Sequence, residues 1–228
     1  MMRTLFTGML ACLLIGPVVG DDSSARFFPP STVVYAELDD PSELVATIFD
    51  HPLRTRIESL EPYKMAVQTP GYRRFQMGRV FVEGHFGMSW REAIATFAGG
   101  GASVGLDGKN NGVAVVVQGK DEAAMKTLRD KLVELAALGE NADDIKSAEY
   151  RGVTAYEINQ AKFAIQGDRL VVTNNGDMGK AILDRLIDNE GPSLADNARF
   201  QSAADGVRED RTVWAFVDVE ALRESGVA

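Results

Sequence analysis

The chain has 228 residues, with 33 acids against 24 lysines and arginines, a net charge of −9 and a single cysteine. Such acidity opposes long-range attraction to nucleic acid or anionic lipid and favours solubility. One cysteine excludes an internal disulfide and any cluster of thiolate metal ligands.

Residues 1–20 read as a secretory signal. Arg3 supplies the positive charge, Leu5 to Val19 carry none, and Gly16-Pro17 break the apolar run. Small residues at Val18-Val19-Gly20 then precede the abruptly polar Asp21-Asp22-Ser23-Ser24, the order of a cleavable signal. The run is shorter than the roughly 20 residues a spanning helix needs. An uncleaved anchor is the alternative, and it would be the chain's one route to a membrane. Met9-Leu10-Ala11-Cys12 loosely resembles a lipidation site, but Leu13-Leu14-Ile15 continue the apolar run past it, which disfavours lipidation. Cleavage after Gly20 leaves 208 residues with no cysteine and a charge of −10, exported to the periplasm or beyond.

Residues 21–31 read as a tether ending in Pro29-Pro30, with order beginning at Thr32. Val33 to Leu38 is β-branched and aromatic, a strand. Asp40-Pro41-Ser42-Glu43 opens a helix to Phe49, with Asp40 as cap and Pro41 in the first turn. Short helices follow at Leu53 to Leu60 and Glu61 to Gln68. Tyr72 to Phe86 reads as a helix, with Arg79-Val80-Phe81-Val82 as a competing strand. Ser89-Trp90-Arg91-Glu92 is a capping box opening a helix to Ala98.

Gly99-Gly100-Gly101 ends that helix and leads to strand Ala102 to Leu106, the turn Asp107 to Asn111 and strand Gly112 to Gln118. Glu122 to Ala137 is the most strongly patterned helix, with Met125, Leu128, Leu132 and Leu135 on one face and Gly139 as its stop. Four strands follow, Lys146 to Tyr150, Val153 to Ile158, Lys162 to Gln166 and Arg169 to Thr173. Arg151-Gly152 and Gly167-Asp168 make tight turns within them. A helix from Asp177 to Asp188, a short helix within Ser193 to Ala204 and a strand from Thr212 to Asp218 complete the order. Adjacent hairpins with interspersed helices predict an α+β fold: an antiparallel sheet with helices on one face, preceded by a helical region over 41–98. A doubly wound parallel sheet needs βαβ alternation, which is missing.

Thr32-Val33-Val34-Tyr35-Ala36-Glu37-Leu38-Asp39 and Thr212-Val213-Trp214-Ala215-Phe216-Val217-Asp218 share a Thr-Val start, an aromatic strand and an Asp exit into a helix. The likeness predicts a domain over 32–211 and, at 212–228, the opening of a second, truncated copy. Coincidence between two ordinary strand–helix junctions is the competing reading.

No residue set amounts to a catalytic, cofactor or metal site. His51 and His85 are isolated, which suits surface or helix-end positions better than metal ligation. Ser89 is better explained as a helix cap than as a nucleophile, since its surroundings lack the strand and second glycine of a nucleophile elbow. Asp107-Gly108-Lys109-Asn110-Asn111-Gly112 echoes a calcium loop, but Lys109 takes a ligand position and Gln118 stands where the bidentate acid belongs. Asp39-Asp40 and Asp143-Asp144 read as a cap and a solvated loop. Gly99-Gly100-Gly101 follows a helix, whereas a phosphate cradle precedes one. Arg73-Arg74, Arg79 and Arg91 could dock an acidic partner or an anionic glycan, or pair with nearby acids on a solvated face. Trp90 and Trp214 suit core positions more than a sugar platform.

Several segments nonetheless resemble one family of exported bacterial proteins, the domain of unknown function numbered 3352. They are Pro29-Pro30-Ser31-Thr32-Val33-Val34-Tyr35, the Trp90-Arg91-Glu92 helix, Tyr150-Arg151-Gly152-Val153, Gly167-Asp168-Arg169-Leu170-Val171-Val172 and Ser193-Leu194-Ala195-Asp196. The resemblance brings no catalytic residues and no cofactor. The expected function is therefore an exported, non-enzymatic binding or structural module. Its partner is a protein or glycan, met by an exposed sheet face or hairpin edge. The alternative is a cofactor-independent envelope hydrolase using carboxylates that the sequence does not pair.

Overall fold

The computed structural model describes residues 23–137, 145–158, 160–189, 191–207 and 211–226. The signal at 1–20, the helix stop at Gly139 and the acid pair Asp143-Asp144 lie outside them. In chain order the described elements are β1 (Thr32–Leu38), α1 (Pro41–Phe49), α2 (Arg54–Glu58), α3 (Glu61–Val67), α4 (Pro70–Phe86) and α5 (Trp90–Phe97). Next come β2 (Ala102–Asp107), β3 (Val113–Gln118), α6 (Glu122–Ala137), β4 (Lys146–Tyr150), β5 (Val153–Ile158), β6 (Ala161–Gln166) and β7 (Arg169–Thr173). The chain continues through α7 (Gly176–Asp188), α8 (Ala198–Ala204), β8 (Val213–Val217) and α9 (Val219–Glu224).

The eight strands form one sheet in the order β4-β5-β6-β7-β3-β2-β1-β8, and every neighbouring pair is antiparallel. Turn chemistry sets the hairpin registers. Arg151 and Gly152 both have positive φ, which closes the Tyr150–Val153 pair in two residues, and Gly167 alone does so between Gln166 and Arg169. The primed turns that need such residues match the right-handed strand twist.

Local chemistry also sets the helices. Asp40 accepts from the amides of Ser42 and Glu43 to start α1. Ser89 and Glu92 complete the capping box of α5. Residues 79–82 lie inside α4, not in a strand: Thr69 caps that helix, Pro70 occupies its first turn, and Gly87 ends it at φ +66°. Helices α2, α3 and α4 bury no residue, so this helical region has little core of its own.

Three expectations need correction. First, residues 23–31 are not a tether. Ser24–Phe27 form a 3-10 turn whose Ala25 and Phe27 are buried, with the next residue, Phe28, fully enclosed. Phe28 meets Tyr35 edge-on at 5.3 Å, and Gly105 leaves room for its ring, since a Cβ there would come within 2.5 Å of it. Burying two phenylalanines outweighs the solvating tendency of the neighbouring serines.

Second, helices cover both sheet faces. On one face the 3-10 turn, α7 and α8 enclose Tyr35, Val116, Val171, Ile182, Phe200, Trp214 and Phe216. On the other, α6 brings Met125, Leu128 and Leu132 onto Phe163, Leu170 and Val172. Leu170, Val171 and Val172 are consecutive, so they alternate between the faces, and each face of that half needs its own cover.

Third, residues 212–226 do not begin a separate unit. Strand β8 pairs along β1 from Val34–Val217 to Leu38–Val213 as the edge of the same sheet. The resemblance of the two segments is nonetheless structural. Asp40 caps α1 after β1, and Asp218 caps α9 after β8.

Candidate functional site

Strand alternation sends Val33, Tyr35 and Glu37 of β1 into the core, and Val34, Ala36 and Leu38 to the opposite face. The register aligns these last three with Val213, Ala215 and Val217 of β8 and with Ala102, Val104 and Leu106 of β2. Val113, Val115 and Val117 of β3 extend the row. All twelve positions are apolar and none is buried. Val104 and Val113 are each 39% exposed, Val213 53% and Val217 49%. The α6 helix covers the β6–β7 half of this face and reaches Val117 of β3, leaving the rest of the β8-β1-β2-β3 half open. An uncovered apolar sheet surface of this kind marks a contact site.

The two sheet edges differ. Edge strand β4 carries Lys146 and Glu149, charges that discourage further strand pairing. Edge strand β8 reads Val-Trp-Ala-Phe-Val with no charge.

A polar cleft of about 810 Å³ lies at one end of the sheet. It is lined by Ser23 and Ser24, the end of β1 at Glu37 and Asp39, Gly100 and Gly101 before β2, Gln118, Arg169, and Arg211 with Trp214 at the start of β8. Glu37 is buried, and both of its oxygens are engaged. Oε1 accepts from the Ser24 amide at 2.8 Å. Oε2 accepts from Ser23 Oγ at 3.2 Å and from Trp214 Nε1 at 3.2 Å. Arg211 lies 3.9 Å from both Glu37 and Asp39, with its guanidinium 5.4 Å from the Trp214 ring. Its Nε is buried without a hydrogen-bond partner. Burial pushes the Asp39 carboxyl above the ordinary aspartate range, the Glu37 charge adds to the rise, and Arg211 opposes it. Burial likewise holds the Tyr35 phenol well above its usual range, reinforced by the Glu37 charge.

The residues weighed from sequence stand apart from this cleft, except Asp39, Gly100, Gly101, Gln118 and Trp214. His51 Nδ1 accepts from the Leu53 amide just before α2, and His85 stacks on Phe81 at 5.8 Å. Asp107 and Asn110 accept from the amides of Lys109 and Gly112, so the calcium-like run is a self-bonded turn. No cluster of three or more ligating side chains that could hold a metal occurs among the described residues. Gly100 packs against Gln118, where a Cβ would come within 2.5 Å, and Gly101 adopts φ +110°, as close packing after a helix requires. Arg91 forms a two-pronged pair with Asp50, and Arg79 lies 4.0 Å from Glu83. Trp90 packs on Phe49, and Trp214 joins Tyr35 and Phe200 in the core.

Sequence reasoning missed Glu37, Arg26, Arg169 and Arg211 as a group. The available signal was an acid at an inward position of an otherwise apolar strand, which must find donors if it is buried.

The chain matches the family described as "Protein of unknown function (DUF3352)" over residues 91–227, more than half its length. It belongs to that family. The matched part of this DUF3352 protein takes in Arg169, Arg211 and Trp214 of the cleft, whereas Arg26, Glu37 and Asp39 precede it. No curated protein matches it. Among solved structures it is similar to TP0453. Crystal form I gives a TM-score of 0.41 at 15% identity, covering 86% of this chain and 62% of that one. Form IV gives 0.41 at 15% identity, covering 85% and 63%. The DUF3352 protein thus spans less than two thirds of the TP0453 chain. No helix among its described residues is long and apolar enough to cross a membrane.

Proposed function

We propose that this is an exported, non-enzymatic binding module that meets a protein partner through the open half of its sheet. The observation that carries the reading is the row of twelve apolar, unburied positions on β8, β1, β2 and β3. Covering such a surface releases about 25 cal/mol per Å² of apolar area, a gain that needs no catalytic group. Export is supported by the signal-like order of residues 1–20. The test is a photoreactive side chain placed at Val104 in the exporting cell. It should crosslink to a discrete partner, while the same group at Lys146 on the charged edge should not. Equal crosslinking from both sites, or none from Val104, would overturn the reading. N-terminal sequencing of protein from the periplasm or medium should begin near Asp21.

A second reading, a cofactor-independent envelope hydrolase, draws on the carboxylates lining the cleft, Glu37, Asp39 and Asp205. It ranks lower because Glu37 accepts from three protein donors. That removes Glu37 from the acid and base pair that carboxylate hydrolysis commonly needs. Hydrolytic activity abolished by Asp39→Asn would favour it instead.

A further inference from the structure

The cleft at the β1–β8 end of the sheet is separate from the apolar face, and its chemistry differs. Of the three acids lining it, Glu37, Asp39 and Asp205, Glu37 is saturated by Ser23, Ser24 and Trp214. Arg211 is not: it stands 3.9 Å from each neighbouring acid, beyond hydrogen-bond reach of both, and its buried Nε meets no acceptor. Two further guanidinium groups converge on one ring, Arg26 at 4.8 Å and Arg169 at 4.9 Å from the centroid of Phe27, and Arg169 also donates to Asp168 at 2.6 Å. Arginine has only donors to offer, in a planar fork that fits a carboxylate or phosphate. The volume of about 810 Å³ suits a molecule the size of a sugar acid or a short peptide end.

We propose that this cleft binds a small oxyanion-bearing polar molecule, with the anion held by Arg211 and the Arg26–Arg169 pair and the neutral part lying along Gln118 and the glycine turn. Arg211 is the anchoring residue, because its unmet donor is buried and an incoming oxygen would complete it.

The two tryptophans make the test direct, since only Trp214 reports from the cleft. Its indole N–H resonance, assigned with a Trp90→Phe variant, would be followed while adding glucuronate, N-acetylglycine or inorganic phosphate. Glucose and N-acetylglycinamide serve as neutral twins. A saturable shift with at least one anion and none with its neutral twin is expected. A response to carboxylates alone, phosphate alone or both identifies the anion class, and each supports the site. Arg211→Gln and Arg169→Gln should weaken binding about tenfold or more, with circular dichroism confirming that the variants are folded. No saturable shift with any anion, an equal shift with the neutral twins, or unchanged affinity in folded Arg211→Gln overturns the proposal.

Discussion

Trp214 donates its indole N–H to Glu37 at 3.2 Å, joining residues that face each other across the β1–β8 pair. Glu37 also binds Ser23 and Ser24, so one carboxylate ties the first described residues to the last strand. The cleft exists because these three segments are locked together.

Removing that carboxylate should destabilise the fold. Glu37→Ala leaves the Ser24 amide and the Trp214 indole without their acceptor, at a cost of about 1–3 kcal/mol per buried donor. Glu37→Gln keeps an acceptor and should cost less. Urea unfolding of the two variants checks the order, and equal losses would contradict the latch.

Phe28→Ala separates a packed N-terminal segment from a tether. Phe28 is fully enclosed between Tyr35 and Gly105, so truncation should cost about 3–5 kcal/mol. Stability matching the parent chain in denaturant would mean that residues 23–31 do not pack.

Asp39 predicts an inverted pH response. Its carboxyl is raised by burial and by Glu37, so the folded state holds its proton more tightly than the unfolded chain does. This contribution is fully present below the ordinary aspartate range and is lost as pH rises through the raised value. Asp188, lowered by Arg151, behaves oppositely and loses its contribution as pH falls. Asp39→Asn should therefore raise Tm at pH 7 and leave it nearly unchanged at strongly acid pH. A lower Tm at pH 7 would show that Arg211 outweighs burial.

Val104→Asp and Val217→Lys should be tolerated, because both side chains are exposed on the open face. Surface changes of this sort typically shift stability by no more than about 0.5 kcal/mol. Both should reduce the fluorescence of an apolar dye bound to the protein, and Val217→Lys should abolish crosslinking from a photoreactive group at Val104. A large loss of stability instead would mean that the face is covered within the chain itself.

Much of the secondary structure was legible because its causes are local. Asp40 and Ser89 cap their helices with their own side chains. Arg151-Gly152 and Gly167-Asp168 turn their hairpins by φ alone. An exposed sheet face was expected too, in outline, and one alternating set of residues in 32–38, 102–107 and 213–217 is apolar throughout: Val34, Ala36 and Leu38, Ala102, Val104 and Leu106, Val213, Ala215 and Val217. The cleft was not. Arg26, Glu37, Arg169 and Arg211 are ordinary surface-type residues in the sequence, and no spacing connects them.

By itself, the sequence determined the α+β class, the hairpins, nearly every helix boundary and the family resemblance, since capping, turn conformation and side-chain alternation act over a few residues. Only the tertiary structure decided that the segment before Pro29 enters the core, that helices lie on both faces and that the last strand closes onto β1. Those outcomes depend on which apolar surfaces find each other across some 180 residues of chain. Phe28 against Gly105 and Trp214 against Glu37 are matches of shape and hydrogen bonding that no local pattern records.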